Sequence, residues 1–171
     1  MTIWIENDGW TYEVFHKNTP PAEFDQFQSF KELWDSKRDG DALPSWQSFS
    51  LEDFADWYGW ITVDDVIPGP EFDSVFRLWG TNVTDLYGTD LTGKRMSEYP
   101  EFYSQEDFEL SEKMVKEQIV SLSTGPMKWH DIKFKIFSFI ELPLSDDGQI
   151  VDKFISLVSE VTAPEGNNIN L

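Results

Sequence analysis

The stretch that most constrains the fold lies near the C-terminus, where two apolar runs, residues 133–144 and 149–161, flank Asp146-Asp-Gly148. An Asp-Gly pair between alternating runs is the chemistry of a tight hairpin turn. Successive side chains of a strand point to opposite faces, so Phe134, Ile136, Ile140 and Leu142 share one face while Phe137 and Phe139 take the other. In the second run, Phe154 and Val158 likewise place apolar bulk on the far face. A sheet that is apolar on both sides must be covered on both. The cover is either the chain's own N-terminal helix and arm or another molecule. We expect a homodimer or a protein partner to meet residues 4–34 and the outer sheet face.

The remaining elements follow from periodicity and punctuation. Residues 60–67 and 72–79 are strand-like runs joined across Pro68-Gly69-Pro70, and residues 127–131 supply a further strand. Phe24, Phe27 and Trp34 recur at helical intervals around Ser29-Phe-Lys-Glu32, which predicts a helix over 23–38. Ser50-Leu-Glu-Asp53 opens a short helix that Gly59 ends, and Ser104 opens a long one over 105–122 that Gly125-Pro126 ends. Residues 1–22 read as an arm or short strand, 23–162 as the domain and 163–171 as a flexible tail. The order predicts an α+β fold: a five-stranded, mostly antiparallel sheet with helices on one face and an N-terminal helical extension. Such a half-open sheet encloses a small apolar cavity.

Composition then removes whole classes of function. With 13 Lys+Arg against 32 Asp+Glu the net charge is −19, which argues against nucleic acid and anionic membranes as partners. The absence of cysteine excludes disulfides, thiolate metal sites, thiol nucleophiles and cysteine-linked cofactors. No stretch approaches the roughly 18 apolar residues of a membrane span, and no secretory signal is read at the N-terminus, so a cytoplasmic protein is expected. The 32 acids make close carboxylate pairs such as Asp64/Asp65 inevitable, so no single pair identifies a catalytic site, and an enzyme is not expected.

Phe76-Arg-Leu-Trp-Gly-Thr81, followed by Leu86-Tyr-Gly-Thr-Asp-Leu-Thr-Gly-Lys-Arg95, resembles the strand-to-helix core of a PAS domain, in a divergent bacterial branch of that family. The likeness extends upstream through Trp34 and Gly40-Asp-Ala-Leu-Pro-Ser45, and downstream to Glu160-Val-Thr162. Trp46 and Thr89 depart from it, both standing where that branch has arginine. The resemblance implies small-molecule sensing, dimerisation or protein–protein signalling, without catalysis by the domain itself. Gly88-Thr-Asp-Leu-Thr-Gly-Lys94 also has the spacing of a phosphate loop, but Arg95 stands where the Mg²⁺-binding hydroxyl belongs, and a turn with left-handed glycines is the better reading.

Five residues are candidates for ligand contact. Alternation along 74–79 places Arg77 with Val75 and Trp79, either as a structural clamp on a carboxylate or ring or as the anchor for an anionic ligand. Tyr87, Tyr99 and Trp129 combine an aromatic body with a polar tip, which suits a pocket wall as well as a core. His130 is a polar pocket contact or a strand histidine satisfied by a neighbouring carboxylate, and His16 sits in the arm. The leading expectation is a stand-alone sensory or protein-interaction module that binds a small non-covalent ligand of unspecified identity between the sheet and the 81–122 helices. The competing one is a ligand-free assembly scaffold, its pocket filled by aromatics such as Trp79 or Trp129.

Overall fold

A computed structural model describes residues 2–7, 9–127 and 135–161. Seven strands form one sheet: β1 (Thr2–Asn7), β2 (Trp10–His16), β3 (Ile61–Ile67), β4 (Asp73–Trp79), β5 (Ile119–Pro126), β6 (Ile136–Leu144) and β7 (Lys153–Val161). Their order is β1-β2-β5-β6-β7-β3-β4, with every pairing antiparallel. The expected five-stranded PAS-like sheet is therefore corrected to seven strands. The two additional strands come from the arm, which turns at Gly9 with φ +86° and lays Tyr12 and Phe15 beside Ser123 and Val120 of β5.

Three helices accompany the sheet: α1 (Gln28–Ser36), α2 (Thr81–Tyr87) and α3 (Gln105–Glu117). Ser104 caps α3 in a reciprocal box with Asp107, as its sequence predicts. The helix stops earlier than predicted, because Gln118 adopts a left-handed conformation with φ +53°. Ile119 and Leu122, which look like the end of a helical stripe, belong instead to β5. The strand expected at 127–131 lies, apart from Met127, outside the described residues. Residues 23–38 split into a 3-10 segment, Pro21–Phe27, and α1, so the capping box expected at Ser29 is not used.

Helical elements cover both sheet faces, which corrects the one-sided arrangement. On the outer face Phe15 meets Phe24 with ring centroids 4.7 Å apart, and Phe30 meets Trp57 edge-on at 5.2 Å. The Trp34 indole N–H donates to the Pro143 carbonyl at 3.0 Å. These groups bury the Ile61, Leu157 and Ile140 row of β3, β7 and β6. The apolar surface that argued for a dimer is thus occupied by the chain's own segment 21–57. On the other face α2, the loop to α3 and α3 itself form a roof.

The glycine-bearing loop after α2 is an edge cover. Gly88 ends α2 with φ +73°, Asp90 caps Thr92, and Gly93 and Lys94 bond to the Phe76 backbone along the free side of β4. An edge strand left bare would be a template for pairing with other chains.

Candidate functional site

Across the middle of the roofed face runs a row of directly opposed residues, one per strand: Ser121 on β5, Glu141 on β6, Ser156 on β7, Thr62 on β3 and Trp79 on β4. A polar row in an otherwise apolar sheet interior is costly unless its groups are partnered. Here they are poorly partnered. Among the described residues Glu141 has no hydrogen bond or ion pair, and the Ser121 hydroxyl and Trp79 indole N–H are buried without a partner.

What faces the row is space. A cavity of about 280 Å³ lies between the sheet and the roof, lined by Glu141, Ser156, Thr62 and Trp79 together with Asp64, Asp107, Ser123 and a wall of rings. Trp79 packs edge-on to Phe76 at 4.7 Å and to Tyr87 at 5.0 Å, and Tyr87 edge-on to Phe102 at 5.2 Å. On the opposite side Trp10 lies against Phe139 at 5.9 Å and stacks on Tyr12 at 6.3 Å. Gly125 makes the Trp10 position possible, because a Cβ there would overlap the indole ring.

Three carboxyls meet in this enclosure. Burial pushes Asp64 up to about 7, with the neighbouring Asp65 charge adding to the effect. The Ser74 hydroxyl sits close enough to Asp64 to favour its ionised form, though off hydrogen-bonding geometry. Burial raises Glu141 well above the usual carboxylate range, and the charges of Asp64 and Asp107 raise it further. Asp107 is also raised by burial, against hydrogen bonds from Ser104 and the nearby Tyr12 hydroxyl, which favour its anion. Tyr103 and Tyr87 stack at the roof with centroids 6.5 Å apart, and burial raises both hydroxyls. No lysine, arginine or histidine lines the cavity among the described residues, nor do these residues hold a cluster of acids and histidines fit to bind a metal ion.

Of the sequence candidates that fall among the described residues, Arg77, Tyr87 and Tyr99, only Tyr87 lines this cavity. Tyr99 is one layer out, half-buried and stacked on Phe102 at 5.9 Å. Arg77 is elsewhere. Val63 opposes Leu78 and Asp64 opposes Phe76, which leaves Arg77 as the extra residue of a bulge. The bulge resets the alternation, so Trp79 joins Phe76 in the cavity wall while Arg77 turns outward, 54% exposed, and its Nε donates to Asp65 at 3.0 Å. That is the clamp reading of Arg77. Trp129 and His130 lie outside the described residues.

The sequence reading missed Asp64, Asp107 and Glu141. A signal was present: Glu141 continues the Phe137 and Phe139 face, and Thr62 and Asp64 alternate within an apolar run. No protein-family model, characterised protein or solved structure matches the chain. Among the described residues no helix is long and apolar enough to cross a membrane.

Proposed function

We propose that the chain is a binding module that takes a small non-covalent ligand between the sheet and the α2–α3 roof. The observation that supports this reading is the volume of about 280 Å³ left open between the sheet and the roof, lined by aromatic rings and by Asp64, Asp107 and Glu141. Sites of a few hundred cubic ångströms, walled by aromatics with a few convergent polar groups, are the usual form of small-molecule pockets. A scaffold that filled its pocket with its own rings would close this space. Trp79, one of the two side chains expected to plug it, forms its wall, and Trp129, the other, lies outside the described residues. The roof elements that enclose the ligand would carry its occupancy to the surface, as a sensory module requires.

The test is native mass spectrometry of gently desalted protein together with thermal-shift screening of a small-molecule library. A ligand at a hundred times its Kd stabilises the folded state by about 2.7 kcal/mol, easily read as a rise in Tm. The expected result is a copurified mass or a saturable rise that disappears in Ser123→Phe, which fills the cavity beside Tyr12. An unliganded protein that responds to nothing, or a response unchanged in the filled variant, overturns the reading.

A further inference from the structure

Resting on the ligand-binding reading, we infer that the cavity selects a small organic cation, a protonated amine or quaternary ammonium, held by Glu141 and Asp64 and faced by aromatic rings. Two independent features carry this. The first is charge: acids from three different elements, Asp64 of β3, Glu141 of β6 and Asp107 of α3, converge on one enclosure that no basic side chain enters among the described residues. Asp107 is already engaged by Ser104, and Asp64 is near Ser74. Glu141 is engaged by nothing among the described residues, and its open surface is cavity surface. The second is the aromatic wall, in which Trp79 packs edge-on to Phe76 and Trp10 lies against Phe139.

Ring faces favour the same class. A cation within about 6 Å of an aromatic centroid is attracted by the ring quadrupole, most strongly where water is excluded. Trp10, Phe76, Trp79 and Phe139 give the enclosure such faces on two sides. An anion would meet three carboxyls and these same negative faces. A divalent metal would find no compact ligand set among the described residues.

Occupancy also moves protons in a defined direction. In the empty cavity Glu141 and Asp64 hold protons more tightly than free carboxyls. An entering cation favours their ionised forms, so each carboxyl that ionises releases one proton to solvent as the ion pair forms. The other titratable groups facing the enclosure among the described residues are Asp107, Glu101 at its rim, and the Tyr12, Tyr87 and Tyr103 hydroxyls. Tyr12 and the two roof tyrosines are raised, away from neutral pH. Cation affinity therefore increases as pH rises through about 7, whereas a neutral ligand that accepts from a protonated carboxyl weakens over the same interval.

The experiment is isothermal titration calorimetry on the full chain at pH 6 and pH 8.5. The probes are matched series of 2-phenylethylammonium, 2-phenylethanol and phenylacetate, with tetramethylammonium and benzyltrimethylammonium as permanent cations. We expect the cations to bind at least about tenfold tighter than their neutral and anionic counterparts at pH 8.5. Their affinity should fall at pH 6, and Glu141→Gln should erase the preference. Asp64→Asn, tested beside it, should reduce the preference in the same direction. Neutral or anionic members binding as well as the cations, or a preference indifferent to both variants, overturns the cation assignment while leaving a ligand site. If no member of the series binds and the library screen is also blank, the ligand-binding reading falls with it.

Discussion

At the scale of single residues, the molecule stores its most informative tension in Asp64. The side chain is 5% exposed and burial raises it to about 7, above its unfolded value. Between those two values the folded state binds more protons than the unfolded one, so stability is full below the unfolded value and declines as pH rises towards 7. Asp64→Asn removes that dependence. Urea denaturation should show the variant gaining on the natural chain from pH 4.5 to pH 7.5, by up to a few kcal/mol, with no further change above. A gap that stays constant with pH would mean Asp64 ionises freely in the folded state. Gly125 is the second residue with an isolated role. A methyl group placed there must displace Trp10 from Phe139, so Gly125→Ala should lose about 1–3 kcal/mol in the same assay, the range of an overpacked core. In the sequence Gly125 read only as a helix stop, and Asp64 only as one acid among 32, hinted at by its alternation with Thr62. A buried acid and an exposed one look alike until the strands that flank them are paired.

At the scale of elements, α1 carries an unusual fully buried lysine. Lys31 is 0% exposed, lies 4.7 Å from the Trp34 ring, and its Nζ meets Asp35 at 2.6 Å. Burial lowers its affinity for a proton, and the Asp35 carboxylate works against that. Exchanging a buried charged group for an apolar one of like volume is often neutral or stabilising, while removing one partner strands the other. Lys31→Met should therefore hold or raise the denaturation midpoint. Asp35→Ala should lower stability, by less than the roughly 3–5 kcal/mol of a wholly buried pair because Asp35 is partly solvated. If Lys31→Met proved the more damaging, the ion pair would be a net contributor to the fold. Element boundaries explain what the sequence concealed. The aromatic spacing of 24–34 revealed helical structure, and the Ser104 box located the start of α3 to the residue. The end of α3 was hidden because Ile119 and Leu122 satisfy a helical period and a strand alternation equally well, and only the left-handed Gln118 separates them. Likewise the bulge at Arg77 leaves no mark in composition, yet it decides that Trp79, and not Arg77, faces the cavity.

At the scale of the whole molecule, the N-terminal hairpin joins the site to the fold. Little in its residues announces it: Trp4, Trp10, Tyr12 and Phe15 are irregular as helix and short as strand, and only the pairing of β2 with β5 sets Tyr12 and Phe15 in register. The two strands contribute unequally. β1 is exposed along most of its length, whereas β2 buries Tyr12 and Phe15 and sets Trp10 into the cavity wall. Burying two such side chains stabilises by about 3–6 kcal/mol, which compares with the roughly 5–15 kcal/mol that hold a domain together. Removing residues 1–8 should then leave a folded chain with a modestly lower Tm, because β2 still closes the cavity and protects β5. Removing residues 1–18 uncovers the full edge of Ile119–Pro126 and opens the enclosure beside Glu141 and Phe139. That chain should elute as aggregates in size-exclusion chromatography despite the acidic surface, since backbone pairing at an open edge outweighs charge repulsion once salt screens it. A monomeric, cooperatively melting 19–171 fragment would show instead that the other five strands and their two helical covers are self-sufficient, and that the hairpin serves only to wall the cavity.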